Sequence, residues 1–374
     1  MEYRFSEEQE MLQRTVRDFM ARECPRSLVR ELEMSRQDYS RDMYKKMADL
    51  GWCGLMIPEQ YEGSELGWIE QGILYEEMGR ALCPSPHYQS VVLSAQALLS
   101  LGNEDQKKQW LPRIASGQAI AVVALDEEAG QEPGDVQCKA TISADGYVLN
   151  GTKLFTQYAH MANLVIVVAR TGLGRDSRGL TCFLVEANTP GMTITPMDAM
   201  GGERLTEIVL NNVRVANANI LGPVNGGGVV FDIVDRGKTV LTAYMMGGAQ
   251  QALDMAVDYS KQRVQFGVPI GSFQGLQWYM AETWTNIAAA RWLSYESIWK
   301  MSEGVDSPGD RAMAQMQAAQ CYVETSHTCV QIHGGLGIMK DFDMGLFYRK
   351  AKALDVYMGA PDSKRDAIAT AAGL

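Results

Sequence analysis

Four residues in one short segment have side chains that suit a nucleotide cofactor. The segment YSKQRVQFGVPIGSFQG (259–275) interrupts a helical pattern with Gly-Val-Pro and keeps Arg263, Phe266, Phe273 and Gln274 close together. A forked guanidinium group suits a pyrophosphate, and an aromatic ring beside an amide suits an adenine base. Taken alone the segment is weak support, because an arginine at a helix end is usually solvated.

A second segment offers bare backbone in place of side chains. In QIHGGLG (331–337), the adjacent Gly334 and Gly335 follow a helical pattern whose last turn carries Gln331. Backbone without side chains can approach phosphate oxygens closely and donate N–H groups to them. A pair of glycines is more often an ordinary turn, so this segment is also ambiguous by itself.

Composition and motifs exclude several other chemistries. The 374-residue chain has a net charge of -11, which disfavours nucleic acid and anionic membranes as partners, and its seven scattered cysteines form no CxxC pair. The four histidines lack metal-ligand spacing, and no GxSxG elbow or Walker loop occurs. The opening MEYRFSEEQE has no apolar signal region, and no apolar run could cross a bilayer. We therefore expect a cytoplasmic protein with reduced thiols and no metal.

Three regions of different pattern must position these residues. Residues 1–118 are predicted to form a helical domain, in which Ser6-Glu-Glu-Gln9 is a capping box. Residues 119–224 contain short β-branched runs separated by turns, which favour an antiparallel β-barrel or sandwich. Residues 225–374 carry long amphipathic patterns that predict a C-terminal four-helix bundle. The expected fold class is mostly α with a central β domain.

One stripe of the predicted bundle contains large side chains that could serve either packing or a ligand. Its members are Leu276, Met280, Trp284, Ile287, Ala288, Tyr295 and Ile298. Because large residues at helical spacing most often form a core, we interpret Met280 and Trp284 as bundle core.

Together and in this order, the two cofactor segments resemble the acyl-CoA dehydrogenase family of FAD flavoproteins. The match to RxxFGxPIxxFQ followed by QIHGGxG is specific. Weaker agreement runs through MADLGWCGLMIPE, YEEMGRAL, NGTKLF and RKAKAL, so the resemblance covers essentially the whole chain. A helical domain, a barrel and a helical bundle, in that order, are also that family's architecture.

The resemblance implies an FAD site shared between two subunits. On one subunit the implied contacts to the diphosphate and adenine are Arg263, Phe266, Ile270, Phe273 and Gln274. On its neighbour they are Gln331, Gly334 and Gly335. Phe155 matches the position of an aromatic residue along the flavin ring, and Thr156 follows it. A shared pocket implies an obligate dimer, and the family usually forms a dimer of dimers, so we expect a homodimer or homotetramer.

The residue that usually removes the substrate's proton is missing from this chain. In α,β-dehydrogenation a proton leaves the carbon next to the thioester and a hydride leaves the next carbon for the flavin. In most members of the family the base is a Glu in Tyr-Glu-Gly, where this chain has Tyr357-Met358-Gly359. In others the Glu lies on the helix that opens the bundle, where this chain has Gly237. We therefore leave the catalytic residue unassigned.

Three nearby residues could replace the missing glutamate. Asp355 lies one helical turn before Met358 on the same face and is the displaced-base candidate, although most acids in such positions are solvated or salt-bridged. Asp235 lies two residues before Gly237 and should point away from it. Tyr244 shares the face of Gly237, but its high intrinsic pKa makes it a poor base at neutral pH.

The flavin side of the predicted site also departs from the family. Many members have Thr-Glu-Pro on the loop after the first barrel strand, and the Thr bonds the pyrimidine end of the flavin. This chain has Asp126 and Glu127-Glu128 there instead. An ionised Asp126 against the ring would disfavour a reduced, anionic flavin, yet the diphosphate motifs still predict FAD binding.

Two functions remain open. In the first, the chain dehydrogenates an unusual acyl-CoA, cyclic or branched, with a displaced base, and passes electrons to an electron-transfer flavoprotein. In the second, it is a supporting subunit of a heterotetramer and lends half of an FAD pocket to a homologous partner that has the glutamate. A changed flavin activity, such as reduction of an enoyl-CoA, is a third alternative.

Overall fold

The computed structural model describes residues 4–174 and 176–374, and its first region is helical. The helices are α1 (Glu7–Glu23), α2 (Arg26–Ser35), α3 (Arg41–Asp49), α4 (Trp68–Ala81), a π-helix (Tyr88–Ala95), α5 (Gln96–Leu101) and α6 (Glu104–Ala115). Helix α1 begins at Ser6, whose hydroxyl accepts the Gln9 N–H while the Gln9 side chain accepts the Ser6 N–H. The predicted capping box is therefore present.

The middle region forms one eight-stranded sheet. Its strands are β1 (Ala121–Ala124), β2 (Lys139–Ser143), β3 (Gly146–Gln157), β4 (Leu164–Arg170), β5 (Leu180–Glu186), β6 (Met192–Asp198), β7 (Arg204–Ala216) and β8 (Ile220–Leu221). The strand order is β6-β7-β3-β2-β4-β5-β8, and β1 pairs with β4. The apolar run of β4 is buried on both faces, which explains why its residues do not alternate with polar ones.

The sheet is mixed and is not a closed barrel, which corrects the prediction of an antiparallel barrel. Strand β1 pairs with β4 in parallel, with Ala121 opposite Leu164, and β2 also meets β4 in parallel. The described pairing is an open path with β6 at one end and β8 at the other. Apolar runs identify strands, but strand direction depends on the connections, and here the β2–β3 hairpin intervenes before β4 returns beside β1.

The last region is a helical bundle. It consists of α7 (Val229–Gln262), α8 (Gln274–Glu303), α9 (Pro308–His333), α10 (Met344–Met358) and α11 (Pro361–Ala371), with a hairpin of β9 (Val264–Gln265) and β10 (Val268–Pro269) between α7 and α8. Helix α9 packs against each of the other four helices. The four predicted helices are therefore present, and α11 is an additional short one. Among the described residues, no helix combines the length and apolar character that crossing a bilayer requires.

Helix α8 buries less of its aromatic stripe than predicted. Ile287 and Ile298 are buried, but Trp284 is 63% exposed and Met280 is only partly buried. The interpretation of Trp284 as bundle core is therefore wrong. Helix α8 packs on α7 and α9 along one face, and helical periodicity alone does not show how wide the covered face is.

Two glycines bring the N-terminal region into direct backbone contact with the bundle. A Cβ atom at Gly79 of α4 would lie 1.9 Å from the carbonyl oxygen of Tyr244, and one at Gly247 of α7 would lie 1.8 Å from that of Glu76. Such distances exclude any side chain at these two positions. Helices α4 and α7 therefore pack closely, which holds the first half of α7 against the N-terminal helices.

Candidate active site

Strand β3 is irregular at the position expected to lie along a flavin ring. Its pairing with β7 shifts register between Lys153 and Thr156. Phe155, between them, takes a left-handed backbone conformation with φ 58°, which is uncommon for a bulky residue. Its side chain is 45% exposed, whereas those of Lys153 and Thr156 are buried. The bulge thus presents one aromatic ring at the surface of an otherwise buried strand segment.

Thr156 supplies an unpaired polar atom at the same place. Its Oγ1 is buried and finds no hydrogen-bond partner among the described residues. Its carbonyl oxygen accepts a 2.7 Å hydrogen bond from the Thr206 hydroxyl, so the backbone of this segment is fixed. A buried hydroxyl without a partner is costly unless a ligand satisfies it. A cofactor with polar ring edges fits this position.

The acidic residues Asp126, Glu127 and Glu128 on the loop after β1 have different surroundings. The Glu127 carboxylate lies 2.6 Å from Lys153 Nζ and accepts the backbone N–H groups of Gln137, at 2.8 Å, and Cys138, at 3.1 Å. Glu127 therefore holds the loop to β3. Glu128 is exposed. Of the acidic residues expected against the flavin, these two have other environments.

Asp126 is the member of the run that lies beside the bulge. Its carbonyl oxygen accepts the Leu154 N–H at 2.8 Å, and its carboxylate accepts a hydrogen bond from Gln131 Nε2 at 3.1 Å. Burial raises the pKa of Asp126 to about 6, and the positive charges of Lys238 and Lys153 oppose that shift. This carboxyl group can therefore change its protonation near neutral pH.

The side chain of Lys238, from α7, contacts the end of α10, where most members of the family have their base. Met358 is buried there, and Gly359 ends the helix with φ 90°. Lys238 Nζ lies 3.5 Å from the Met358 carbonyl oxygen and 3.2 Å from Gln131 Oε1. It also lies 5.5 Å from the centre of the Tyr357 ring, within the range of a cation–π contact.

The other usual base position, Gly237, faces Tyr88, which in turn contacts Tyr357. A Cβ atom at Gly237 would lie 2.6 Å from Leu93 Cδ2 and 3.0 Å from the Tyr88 hydroxyl oxygen. The Tyr357 hydroxyl donates to the Tyr88 hydroxyl at 3.3 Å. Tyr88 therefore connects the two positions, and the space at Gly237 is already filled.

None of the three candidates for a displaced base has surroundings that suit a base near Met358 and Gly237. The Asp355 carboxylate is 37% exposed and pairs with Lys352 at 3.3 Å. The Asp235 carboxylate accepts a hydrogen bond from Arg311 Nε at 2.5 Å, so it is paired with a cation. Burial raises the pKa of Tyr244 well above its ordinary value, so Tyr244 is a still poorer base than expected.

A small cavity of about 50 Å³ lies next to Tyr88. It lies between α4, α7, α10 and the sheet, and its wall contains a partly buried ion pair between Glu203 and Lys350. The side chains facing it include Tyr75, Met78, Tyr88, Leu241, Tyr244 and Leu354. The cavity is thus tyrosine-rich and mixed in polarity.

The first cofactor segment lies at the far end of α7 and is exposed. The Arg263 carbonyl oxygen accepts the Ile270 N–H at 2.8 Å, which closes the β9–β10 hairpin. The rings of Phe266 and Phe273 make a T-shaped contact with their centroids 6.2 Å apart, and Phe266 is 92% exposed. Arg263 and Gln274 are exposed as well. The structure therefore brings these residues together, on a surface.

The second segment lies at the same end of the same bundle. The ring of Tyr259, one turn before Arg263, stacks on His333 at 4.5 Å. Gln331, Gly334 and Gly335 next to it are exposed. A Cβ atom at Gly334 or Gly335 would have no atom of residues 4–174 or 176–374 within 4 Å. Packing within this chain therefore does not require the bare backbone of Gly335.

The two groups of site residues are far apart in one chain. At a rise of about 1.5 Å per residue, Lys238 and Gln262 on α7 are separated by about 36 Å. This distance exceeds the length of an extended flavin adenine dinucleotide. Phe155 and Thr156 lie near the Lys238 end, through Leu154 and Asp126, whereas Arg263 follows the other end of α7.

Three residues of the site were not predicted from the sequence: Lys238, Gln131 and Tyr88. Lys238 directly follows Gly237 in DRGKTVL, so its neighbourhood was a signal, but a lysine beside a glycine on a helix is usually a solvated residue. Gln131 and Tyr88 lie on other elements, and only the tertiary structure brings them to α7 and α10.

Comparison with known proteins covers the entire chain. Family models for the acyl-CoA dehydrogenase N-terminal, middle and C-terminal domains match residues 6–118, 121–213 and 225–373. A relative described as a probable acyl-CoA dehydrogenase of Bacillus subtilis is 35% identical, over 99% of both chains.

Solved structures agree with this match. Butyryl-CoA dehydrogenase from Megasphaera elsdenii superposes with a TM-score of 0.93 at 28% identity, with 100% of both chains covered. A subunit of the ChsE4-ChsE5 complex from Mycobacterium tuberculosis has a TM-score of 0.89 at 27% identity, covering 99% of this chain and 98% of that one.

Proposed function

The chain belongs to the acyl-CoA dehydrogenase family of FAD-dependent oxidoreductases acting on CH–CH bonds, and we propose that it dehydrogenates an unusual acyl-CoA. The proposed substrate carries a cyclic or branched acyl group. The observation that supports this choice is the small, tyrosine-rich cavity beside Tyr88 and Leu354. Under this proposal Phe155, Thr156 and Arg263 retain their roles in binding FAD. The residues that differ from the family are Met358 and Gly237, where the base would be.

We propose that two subunits hold each FAD. The separation of about 36 Å between the ends of α7 supports this, because the flavin-side and diphosphate-side residues of one chain are too far apart. Phe155 and Thr156 of one subunit contact the flavin ring, and Arg263 of another contacts the diphosphate. Phe266 is exposed in the single chain, and the second subunit covers it in the assembly. Burying a large apolar ring in this way favours association.

The arrangement of the diphosphate site revises one expectation from the sequence. The resemblance implied that Arg263 and Gly335 belong to different subunits. The stacking of Tyr259 on His333 instead supports a site to which both segments of the same subunit contribute, with the flavin ring against its neighbour. Under this proposal the dimer remains obligate.

When bound, FAD would supply the acceptor for the hydride that leaves the β-carbon of the acyl group. The residues of this chain position and bind. The Thr156 hydroxyl would gain a partner on the cofactor, Phe155 would contact its ring system, and the Arg263 guanidinium would neutralise diphosphate charge. The buried packing of Tyr88, Tyr357 and Met358 excludes water from the α-carbon.

A specific observation also favours a second candidate, the supporting subunit. Neither Met358 nor Gly237 can titrate, and the similar ChsE4-ChsE5 assembly is described as a complex of two proteins. In this alternative the chain forms a heterotetramer with a homologous subunit that has the glutamate. Its own Arg263 then completes the partner's FAD site.

Further parts of the proposal concern assembly and organisation. We propose a dimer of dimers in the homomeric case, and an electron-transfer flavoprotein as the acceptor of the electrons. We also retain the domain division at residues 1–118, 119–224 and 225–374 as a proposal, with a cytoplasmic location.

One experiment tests the proposed function directly. The chain is purified alone, its mass is measured by light scattering, and FAD per subunit is measured after denaturation. Acyl-CoAs with linear, branched and cyclic groups are then added without oxygen while the flavin absorbance is followed. Bleaching with a cyclic or branched substrate supports the dehydrogenase. An FAD-bound dimer that no acyl-CoA bleaches, but that becomes active with a glutamate-bearing homologue, supports the supporting subunit. A stable monomer with bound FAD would contradict the shared site.

A further inference from the structure

We propose that Lys238 is the proton-transferring residue of this site, taking the α-proton of the acyl thioester in place of the missing glutamate. Asp126 and Gln131 act as positioning residues that hold its amine. The inference rests on the proposed dehydrogenation, and the experiments below separate its failure from a failure of that function.

The position of the amine is the main support. Lys238 Nζ lies 3.5 Å from the carbonyl oxygen of Met358 and 3.8 Å from where a Cβ of Gly359 would be. Lys238 is also the next residue after Gly237 on α7. The amine therefore lies at the end of α10, where most of the family has its base, and its helix position adjoins the second one.

The amine is held by a relay of polar side chains. Gln131 accepts a hydrogen bond from Lys238 Nζ at 3.2 Å through Oε1 and donates to Asp126 at 3.1 Å through Nε2. An amide has only this orientation available when it joins a cation to a carboxylate. The relay fixes the direction of the Lys238 side chain, which a long flexible chain requires before it can act as a base.

Charged groups from every neighbouring element bear on Lys238. The loop after β1 contributes Asp126 and Glu132, α7 contributes Asp235, and α11 contributes Lys364. Lys153 of β3 acts through Asp126, and α10 presents the uncharged Tyr357 ring. Asp235 is itself bound to Arg311, which weakens its hold on Lys238.

These surroundings favour the neutral form of the Lys238 amine more than water does. Burial lowers the pKa of Lys238, while Asp126, Asp235 and Glu132 oppose the shift. Burial likewise lowers the pKa of the nearby Lys364 to about 8. The activity attributed to Lys238 should rise with pH, because the neutral amine is the form that accepts a proton.

The step balances with the cofactor of the family as oxidant. The neutral Lys238 amine takes the α-proton and becomes an ammonium, and the α-carbon's electron pair forms the double bond to the β-carbon. The β-hydrogen leaves with its own electron pair as a hydride to FAD, so the acyl thioester becomes a 2-enoyl thioester and loses two electrons.

A purely structural role is the competing explanation. The last carbonyl groups of a helix attract cations, and Lys238 contacts the carbonyl of Met358 at the end of α10. Lys238→Arg separates the two roles. An arginine keeps the positive charge and can cap the helix, but its pKa is too high for it to become a neutral base.

The first test needs no cofactor turnover. Trace acetylation of the purified protein at a series of pH values, read out by peptide mass spectrometry, gives the pKa of each lysine. We expect the pKa of Lys238 to lie below the ordinary value for a lysine, and Asp126→Asn to lower it further because a nearby negative charge is lost. A Lys238 pKa at the ordinary value would overturn the proposal.

The second test follows the proton itself. Deuterium uptake at the α-carbon of a substrate found in the bleaching experiment is measured in D₂O for wild type, Lys238→Arg, Lys238→Met and the α10 control Lys352→Arg. We expect both Lys238 variants to lose at least about a hundredfold in exchange rate while FAD content is retained, and Lys352→Arg to be unchanged. Wild-type exchange should rise with pH.

The remaining outcomes each decide a claim. An unchanged exchange rate in Lys238→Arg would overturn the proposal and leave Lys238 as a helix cap. If the wild type binds FAD but neither exchanges the α-proton nor bleaches with any acyl-CoA, the proposed dehydrogenation fails. A lowered Lys238 pKa in that protein would show that the environment was assigned correctly, while the catalytic role would be overturned with the function.

Discussion

Near its beginning α7 carries Gly237 and Lys238 beside the buried end of α10, whereas its far end leads into Arg263 and an exposed hairpin. The first region lacks the family's glutamate at both usual positions. The second keeps the sequence of the cofactor motif, with Phe266 almost fully exposed. One helix therefore joins a changed, buried region to an unchanged, exposed one.

This difference separates what packing controls from what assembly controls. At the buried end, Met358 has about the length of a glutamate, so the side chain can be exchanged while the neighbouring contacts are kept. At the exposed end, residues such as Arg263 and Gly335 make few contacts that their own chain needs. They must match a cofactor and a second subunit at once, and any change there affects both.

The largest expected effect on cofactor binding is at the exposed end. Arg263→Ala removes the charge that faces the diphosphate, and truncating one member of a buried charge pair costs about 2–5 kcal/mol. FAD affinity, measured by equilibrium dialysis, should fall at least about thirtyfold. Lys261→Ala, two residues earlier on an exposed and weakly paired side chain, serves as the control and should change little.

This result would sharpen the comparison if the unfolding midpoint of apo Arg263→Ala equals that of the wild type. It would break the comparison if Arg263→Ala unfolded more easily without FAD, because the exposed end would then be part of the chain's own packing. A colourless wild type, even with FAD supplied, would favour the supporting subunit.

The next effect is at the buried end. Gly237→Glu restores a carboxylate at the second family position, but its Cβ would lie 2.6 Å from Leu93 Cδ2 and 3.0 Å from the Tyr88 hydroxyl. Overpacking of this kind costs about 1–3 kcal/mol, and we expect the upper part of that range. Urea denaturation measures the loss. Stability equal to the wild type would show that the space at Gly237 is not filled.

Met358→Glu should cost less and gain a function. It exchanges side chains of similar length, so we expect a loss of about 1–2 kcal/mol from burying the new carboxylate, with part of it offset by Lys238. Burial raises the pKa of the new carboxyl and Lys238 lowers it, so it can act as a base. Flavin bleaching by a simple saturated acyl-CoA should appear or increase.

The double variant Met358→Glu/Lys238→Arg separates the two bases. If Lys238 is the wild-type base, the single variant Lys238→Arg is inactive and the double variant regains activity through the glutamate. Activity that stays absent in both Met358→Glu and the double variant would mean that residue 358 does not face the α-carbon.

The two ends of α7 also differ in how well the sequence predicts them. The contiguous motif from Arg263 to Gln274 predicts its own clustering, because a short hairpin keeps its residues together. The absence of a base at Met358 and Gly237 is also visible in the sequence. The order of helical, β and helical regions follows from hydrophobic periodicity.

What the sequence did not predict depends on tertiary contacts. Asp126, Gln131 and Lys238 come from a loop and a helix more than a hundred residues apart, and no periodic pattern connects them. The parallel pairing of β1 with β4 and the exposure of Trp284 have the same origin. Local patterns specify elements, whereas strand direction and the width of a buried face depend on what packs against them.

The smallest expected effect is that of Asp355→Asn, which tests whether the base could still be an acid on α10. The Asp355 side chain is 37% exposed and pairs with Lys352 at 3.3 Å. Exposed pairs of this kind contribute about 0–1 kcal/mol, so urea denaturation should show almost no change. Flavin bleaching should stay within about twofold of wild type, in contrast to Lys238→Arg. A tenfold or greater loss of bleaching, with FAD content and stability retained, would identify Asp355 as the base. The changed chemistry would then lie at the surface of α10 rather than beside the partly buried Lys238.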